Sequence, residues 1–385
     1  MKHLQKIDWI CLTADDYWNS NPHSRYHIAK QFSKTSRILW VNSIGTRFPS
    51  LKRKKGIKLI LRKIKSYLIF YRRPEPNFYV ISPITIPVFH GSLIKKINSE
   101  ILWLQIRFFK YLLRLNNARF FISSPSFGIL SKKLSKSFCI YYYSDLYTSD
   151  REIKFKSEME SLDKKLYSVS NLVYCCSEKI CETIGSNGKF PKYLPHSVDV
   201  KHFSNNYAKP VAMLNIKSPI IGYYGSISDS NDWEIIDYIT KERPNYNFVF
   251  VGKKFVDLYE IEKRQNVFFI DKVSYKDVPA YGSCFDVAIM FWVLRNWILH
   301  SSPIKLLEYI ALGKPVVSVD IPEVRKNFGD VVLIAKDKFE FLNKIDEALH
   351  IDKAGLQKKY QPILKNHSWE KVVEKIYKDM GELIC

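Results

Sequence analysis

Short apolar runs rich in β-branched and aromatic residues recur along this chain, each separated from the next by a stretch of helical period. That alternation is the strongest constraint on the fold, because a strand-crossover-strand rhythm builds parallel sheets with helices on their faces. Expected strands in the first half are Ile7–Thr13, Arg37–Asn42, Phe78–Ser82, Ala118–Ser123, Phe138–Ser144 and Leu172–Cys176. Those in the second half are Ile220–Tyr224, Asn247–Val251, Val267–Ile270, Asp286–Phe291, Pro315–Val319 and Val331–Ile334. Helical stretches between them include Lys96–Leu115, Arg151–Tyr167, Ser177–Ile184, Trp233–Thr240, Pro303–Leu312 and Lys338–Leu349. A polar stretch punctuated by Pro210 and Pro219 breaks the series near residues 200–218. The reading is α/β throughout. It has one domain over 1–200, a second over 201–366, and an amphipathic segment over 367–385 that packs back on the first. Open sheets of this kind take ligands at the carboxyl ends of their strands, so residues just past each strand are where chemistry is sought.

Charge is the second constraint. Lys and Arg outnumber Asp and Glu by 60 to 38, a net of +22, so an anionic partner needs explaining. Between Leu51 and Lys136 there are 19 Lys and Arg against two acids, Glu75 and Glu100, so most of the excess sits in one segment. Leu51–Lys65 holds eight cations and no acid, with Ile57, Ile60, Leu61 and Ile64 at helical spacing. Leu93–Leu115 repeats the theme with Trp103, Phe108, Phe109 and Tyr111. Basic amphipathic helices with aromatic residues suit an anionic bilayer surface, so residues 51–115 are expected to face the inner leaflet of the cytoplasmic membrane. A solvated basic face and a nucleic-acid surface are the rivals. No RRM, KH or zinc-finger signature is present, and nucleic acid is not expected.

The seven cysteines, Cys11, Cys139, Cys175, Cys176, Cys181, Cys284 and Cys385, form no framework and mostly lie in apolar runs, which suits reduced thiols in a cytoplasm. His23 and His27 share i,i+4 spacing without a third ligand, and no metal is expected. Asp8 and Trp9 interrupt what a signal peptide would need. The uncharged run Asn77–Ile94 contains Pro83 and Pro87 and is too polar to span a bilayer. A cytoplasmic protein held peripherally at the membrane is the expectation.

The stretch His300-Ser301-Ser302-Pro303-Ile304-Lys305-Leu306-Leu307-Glu308-Tyr309-Ile310-Ala311-Leu312-Gly313-Lys314-Pro315 is the most informative. Ser302 suits an N-cap, Pro303 the first helical position, and Gly313 a C-terminal cap. A helix N-terminus offers unpaired N–H groups and partial positive charge to a phosphate, and Lys305 adds a full charge in the first turn. Glu308 follows on the same face, where a carboxylate suits sugar hydroxyls; a solvated Lys305–Glu308 pair is the plain alternative. Gly225 ends a strand where backbone N–H groups can approach a diphosphate, or it serves only a turn. Trp292, after the strand Asp286–Phe291, is placed to stack on a nucleobase or to fill the core. Asp145, just past Phe138–Ser144, is placed to accept a proton from an attacking hydroxyl, with a cap or loop role as the alternative. Asp15 and Asp16 occupy the equivalent loop after the first strand, as a second base, as ligands of acceptor hydroxyls, or as turn residues.

The segment resembles the donor-binding helix of bacterial GT-B glycosyltransferases, usually written P-x-K-x-x-E-Y-x-A-x-G-K-P-V-V. Only the second acid of the common Glu-x7-Glu pair, Glu308, is present; His300 stands at the first. Ile10–Tyr17 followed by Arg25-Tyr26-His27-Ile28 is similar to the opening of the glucuronosyltransferases that assemble the xanthan repeat unit. Tyr143-Ser144-Asp145, Pro195-His196-Ser197-Val198-Asp199, Gly225-Ser226 and Ile304-Lys305-Leu306-Leu307 are similar to further motifs of that family, and teichuronic-acid and capsule glycosyltransferases share the pattern.

The resemblance implies two Rossmann-like domains facing across a central cleft. It implies a metal-independent transfer, without a cofactor, from a UDP-sugar to a lipid-linked or growing surface glycan. Asp145 is then the base of an inverting displacement. Donor contacts fall to Lys305, Glu308, Ser301, Ser302, Gly225, Ser226, Trp292 and His196, and acceptor contacts to Asp15, Asp16 and His27. A retaining GT4-like enzyme, a nucleotide-sugar epimerase on the same fold and a non-catalytic basic binding protein are the alternatives.

Overall fold

The computed structural model describes residues 7–44, 70–86, 91–146, 156–185 and 190–383. The chain divides into two compact units. Unit one comprises 1–176, 180–194 and 373–385; unit two comprises 177–179 and 195–372.

Unit one is built on an eight-stranded sheet in the order β3-β4-β2-β1-β5-β6-β7-β8. The strands are β1 Asp8–Leu12, β2 Ile38–Val41, β3 Tyr71–Glu75, β4 Phe78–Ile81, β5 Ala118–Ile122, β6 Cys139–Tyr143, β7 Leu172–Cys175 and β8 Lys192–Tyr193. Every pairing is parallel except β3 with β4. The central strands are apolar on both faces, as burial between two helical layers requires. All five residues of β1 and all five of β6 are buried. Helices α1 Ser24–Ser33, α2 Ser92–Leu112, α3 Lys156–Val169 and α4 Glu178–Gly185 belong to this half of the chain. The basic stretch Leu51–Lys65 and the first residues of the expected helix Arg151–Tyr167 lie outside the described residues.

Unit two is a six-stranded, wholly parallel sheet in the order β11-β10-β9-β12-β13-β14. Its strands are β9 Ile220–Tyr224, β10 Asn247–Val251, β11 Val267–Ile270, β12 Val287–Met290, β13 Val316–Val319 and β14 Leu333–Ala335. Helices α5 Trp233–Glu242, α6 Ile304–Ala311, α7 Lys338–Leu349 and α8 Lys353–Asn366 accompany them. The order reverses between β9 and β12, and such a switch point opens a crevice at the strands' carboxyl ends. Gly225 closes β9 at φ 147° and Gly252 closes β10 at φ 157°. A Cβ on Gly252 would lie 1.7 Å from the Gly225 carbonyl oxygen, so the backbones after the two strands touch only because Gly252 has no side chain.

The polar stretch 200–218 belongs to unit two, because Phe203, Met213 and Ile216 anchor it in that core. The last helix, α9 Trp369–Glu382, starts in unit two and ends in unit one. In unit one the Asp379 carboxylate accepts hydrogen bonds from Tyr174 Oη at 2.7 Å and Lys192 Nζ at 2.8 Å. Tyr377 Oη accepts from Trp9 Nε1 at 3.3 Å. Those donors hold the Asp379 carboxyl below the usual carboxylate range against the burial that raises it.

Candidate functional site

The switch point of unit two gathers several of the residues singled out in the sequence. Helix α6 starts at Ile304, with Pro303 as its N-cap at φ −76°, ψ 111°. Ser302 is therefore one residue too early to cap, and Pro303 lies outside the first turn rather than in it. Ser301 is committed to the preceding turn, its Oγ donating to the Ile298 carbonyl at 2.8 Å. No side chain caps α6; the Leu306 amide turns back to the Pro303 carbonyl at 3.2 Å, and the amides of Ile304 and Lys305 before it keep their donors for another acceptor. The far end closes as the sequence implied, with Gly313 at φ 68° just past Leu312.

Lys305 turns toward the end of β9. A Cβ on Gly225 would meet its Cε at 2.5 Å and its Nζ at 3.0 Å. The ammonium also lies 5.6 Å from the Trp292 ring centre and 5.9 Å from that of Tyr223, whose hydroxyl donates to the Ser226 carbonyl at 3.2 Å. Gly225, Ser226, Trp292 and Lys305 are thus one cluster. Trp292 is buried, with the ammonium over its ring. It also lines a groove of ≈ 370 Å³ with Asp232, Val319, Lys336 and Phe339.

Glu308, one turn further along α6, keeps partial solvent access although protein surrounds it. That desolvation pushes its carboxyl up to about 7, against the opposing pull of Lys305 and of the Tyr224 hydroxyl. Tyr223 and Tyr224, adjacent on a strand, point to opposite faces, so one attends Lys305 and the other Glu308. Neither tyrosine stands out in the sequence; the only signal was their position immediately before a strand-ending glycine. His300 is buried, and its Nδ1 donates to the Asn296 carbonyl at 2.7 Å. His196 is buried at the start of unit two's main segment, away from the first turn of α6 in sequence and with its ring enclosed.

In unit one the loops after β1 and β6 form a second cluster. Arg25, in the first turn of α1, grips Asp15 through Nε at 2.7 Å and Nη2 at 3.1 Å. Its Nη1 donates to Ser144 Oγ at 2.7 Å. Asp16 closes its own turn, accepting from the Trp18 amide at 3.0 Å and from Asn19 Nδ2 at 2.9 Å. A cavity of ≈ 140 Å³ opens beside Asp15, Asp16, Tyr17, Tyr26 and Trp40. Asp145 lies two residues beyond β6, partly exposed, and His27 is buried on α1 against the Tyr26 ring. The role of Arg25 was not legible, because nothing in the spacing of residues 15, 25 and 144 announces that they meet.

Residues 218–350 match the family described as Glycosyl transferases group 1. The putative teichuronic acid biosynthesis glycosyltransferase TuaH of Bacillus subtilis (strain 168) is 24% identical over 219 residues, 52% of this chain and 55% of that protein. The chain therefore spans about half the length of the curated relative it matches. Among solved structures, a sucrose-phosphate synthase from Thermosynechococcus elongatus superimposes with TM-score 0.69 at 14% identity, covering 99% of each chain. Anabaena HepE, solved in complex with UDP and glucose, gives 0.66 at 14% identity over 97% of this chain and 99% of that one. A trehalose-6-phosphate structure from E. coli bound with UDP-2-fluoro glucose gives 0.66 at 10% identity, over 97% and 98%. These likenesses establish the fold as GT-B.

Glu308 generates a pH-dependent prediction. Folding raises its carboxyl pKa from 4.5 to about 7, so between those values the folded chain holds a proton that the unfolded chain has released. The associated stability is complete below about pH 4.5 and is lost as pH rises through about 7. Glu308→Gln is expected to be more stable than the wild type at pH 8 by about 1–3 kcal/mol, with the gap closing near pH 4.5. Denaturant unfolding at the two pH values measures this, and an equal gap at both contradicts it.

Proposed function

Because residues 218–350 form a group 1 glycosyltransferase domain in a chain with the GT-B fold, we propose that this protein transfers a sugar from a UDP-sugar donor to a lipid-linked or growing surface glycan. The observation that carries the reading is the Lys305 ammonium at the uncapped start of α6, against the side-chain-free end of β9. A diphosphate there meets backbone N–H groups, helix-terminal partial charge and one full positive charge. UDP complexes of two structures sharing the fold, and the polysaccharide pathway in the name of the B. subtilis relative, support the donor and acceptor classes.

In the proposed reaction an acceptor hydroxyl attacks the anomeric carbon of the donor sugar. A carbon–oxygen bond forms to the acceptor as the bond to the β-phosphate oxygen breaks, and the electron pair leaves with UDP. Asp145 takes the hydroxyl proton, and attack on the face opposite the departing UDP inverts the anomeric centre. Lys305 and the amides of α6 stabilise the charge developing on the leaving diphosphate, work that a divalent cation performs elsewhere. Asp145→Asn is expected to lower transfer by at least about 100-fold while leaving UDP affinity within about twofold, since the amide keeps the shape but loses the base. Transfer assays with calorimetry decide this, and undiminished transfer removes Asp145 as base.

The proposed acceptor is held at an anionic membrane surface, and α2 supports that location. Leu93, Ile97, Leu104, Phe108 and Tyr111 are exposed along one stripe of this helix, while Leu102, Ile106 and Phe109 are buried on the other. Lys96 and Arg107 lie along one edge of the exposed stripe, and Glu100 beside them is paired with Lys133 Nζ at 2.7 Å. An apolar face with cations along one edge fits an anionic bilayer, and among the described residues no helix is long and apolar enough to cross one. The chain is expected to float with phosphatidylglycerol vesicles and far less with phosphatidylcholine. Phe108→Ser with Tyr111→Ser should weaken that binding at least about tenfold. Flotation indifferent to both changes contradicts the surface.

A further inference from the structure

In unit one, β1 and β6 are separated by β5, which puts their ends roughly 9.5 Å apart at ordinary strand spacing. Arg25 spans the gap. Its guanidinium makes a two-pronged contact with Asp15 in the loop after β1 and donates a third hydrogen bond to Ser144 after β6. The Arg25 and Asp15 side chains are only 12% and 10% exposed, so the pair is largely withdrawn from water and from screening.

A planar fork fixes direction as well as distance, which a lysine ammonium cannot do. The β1 side of this bridge is itself anchored. Asp15 presents its carbonyl to Thr13 Oγ1 at 3.3 Å and to the Ser43 amide at 3.0 Å. On the β6 side the Tyr143 carbonyl accepts from the Cys176 amide of the neighbouring strand at 3.0 Å, and the Ser144 amide then donates to the Tyr142 carbonyl at 3.1 Å. Ser144 directly precedes Asp145, so the hydroxyl held by Arg25 belongs to the residue whose peptide carries Asp145.

We infer that Arg25 is a positioning residue for transfer, acting through Ser144 to hold Asp145 where it meets the attacking hydroxyl. This rests on the reading of Asp145 as base. A base displaced by about 1 Å loses on the order of 100-fold in rate without any change in donor affinity.

Removing Arg25 outright would strand the Asp15 carboxylate, so the informative variants are milder. Ser144→Ala cuts the bridge and leaves the ion pair; Ser144→Thr keeps the hydroxyl; Arg25→Lys keeps the charge and loses the fork. The assay follows UDP release from UDP-glucose, UDP-galactose, UDP-glucuronic acid and UDP-N-acetylglucosamine with polyprenyl diphosphate-linked glycan as acceptor. Calorimetry with UDP runs alongside. Ser144→Ala and Arg25→Lys are expected to lower kcat by about 10- to 100-fold, with UDP affinity within about twofold and Ser144→Thr close to the wild type. Adding either change to Asp145→Asn should cost nothing further, because both act through the same group.

Wild-type kcat in Ser144→Ala, beside an inactive Asp145→Asn, overturns the positioning role and leaves the base in place. Full activity in Asp145→Asn overturns the base and the positioning role together. A wild-type protein that releases UDP from none of these donors overturns the transferase reading and this inference with it.

Discussion

The position of one ammonium group organises the second unit. Lys305 reaches back from the first turn of α6 to lie against Gly225, and it can do so only because the end of β9 carries no side chain there. Gly225 is in turn pressed by Gly252 at the end of the neighbouring strand, so the two strand ends and the helix start form one close-packed corner. A Cβ at Gly252 would force the strand ends apart, and one at Gly225 would displace the Lys305 ammonium. The Tyr223 and Trp292 rings lie on two sides of this cation. It stands ready for an anion that arrives at the unpaired amides of the same helix.

The carboxyl of Glu308 shows the cost of such a place. It sits one turn behind a cation and beside a tyrosine hydroxyl, yet desolvation outweighs both and leaves it near neutrality in pKa. A surface carboxylate would gain nothing from that surrounding. Under the proposed function a donor hydroxyl would take the place of that missing water. Unit one is arranged by a different device. There a guanidinium, not a close backbone contact, ties the functional loops, and the sheet supplies only the distance to be bridged.

Much of the sheet was legible because its strands are apolar on both faces. β9, β10 and β11 coincide with the runs expected from sequence, and most of the others differ by a residue or two at their ends. What escaped had physical reasons. The edge strand β3 reads Tyr-Arg-Arg-Pro-Glu, and its antiparallel pairing with β4 tolerates a proline that a central strand would reject. Helix α8 contains Gly355 and Pro362, which punctuate its period, and it buries Leu356 and Tyr360 in the core of unit two. Helix α1 has a weak apolar stripe, yet it carries Arg25. In unit two the meeting of Lys305 with the end of β9 at Gly225 follows from a local helix start and strand end, although the expected cap Ser302 is one residue early. The Arg25–Asp15–Ser144 bridge joins positions more than a hundred residues apart, and no local pattern encodes it.

The central claim concerns the start of α6, and binding of UDP to the intact chain tests it most directly. Calorimetric titration of the wild type and of Lys305→Ala isolates the ammonium's share. The account predicts that UDP binds the wild type and that the substitution weakens binding about 10- to 100-fold, the worth of one charge-assisted contact to phosphate. Equal affinity in the two proteins would contradict it.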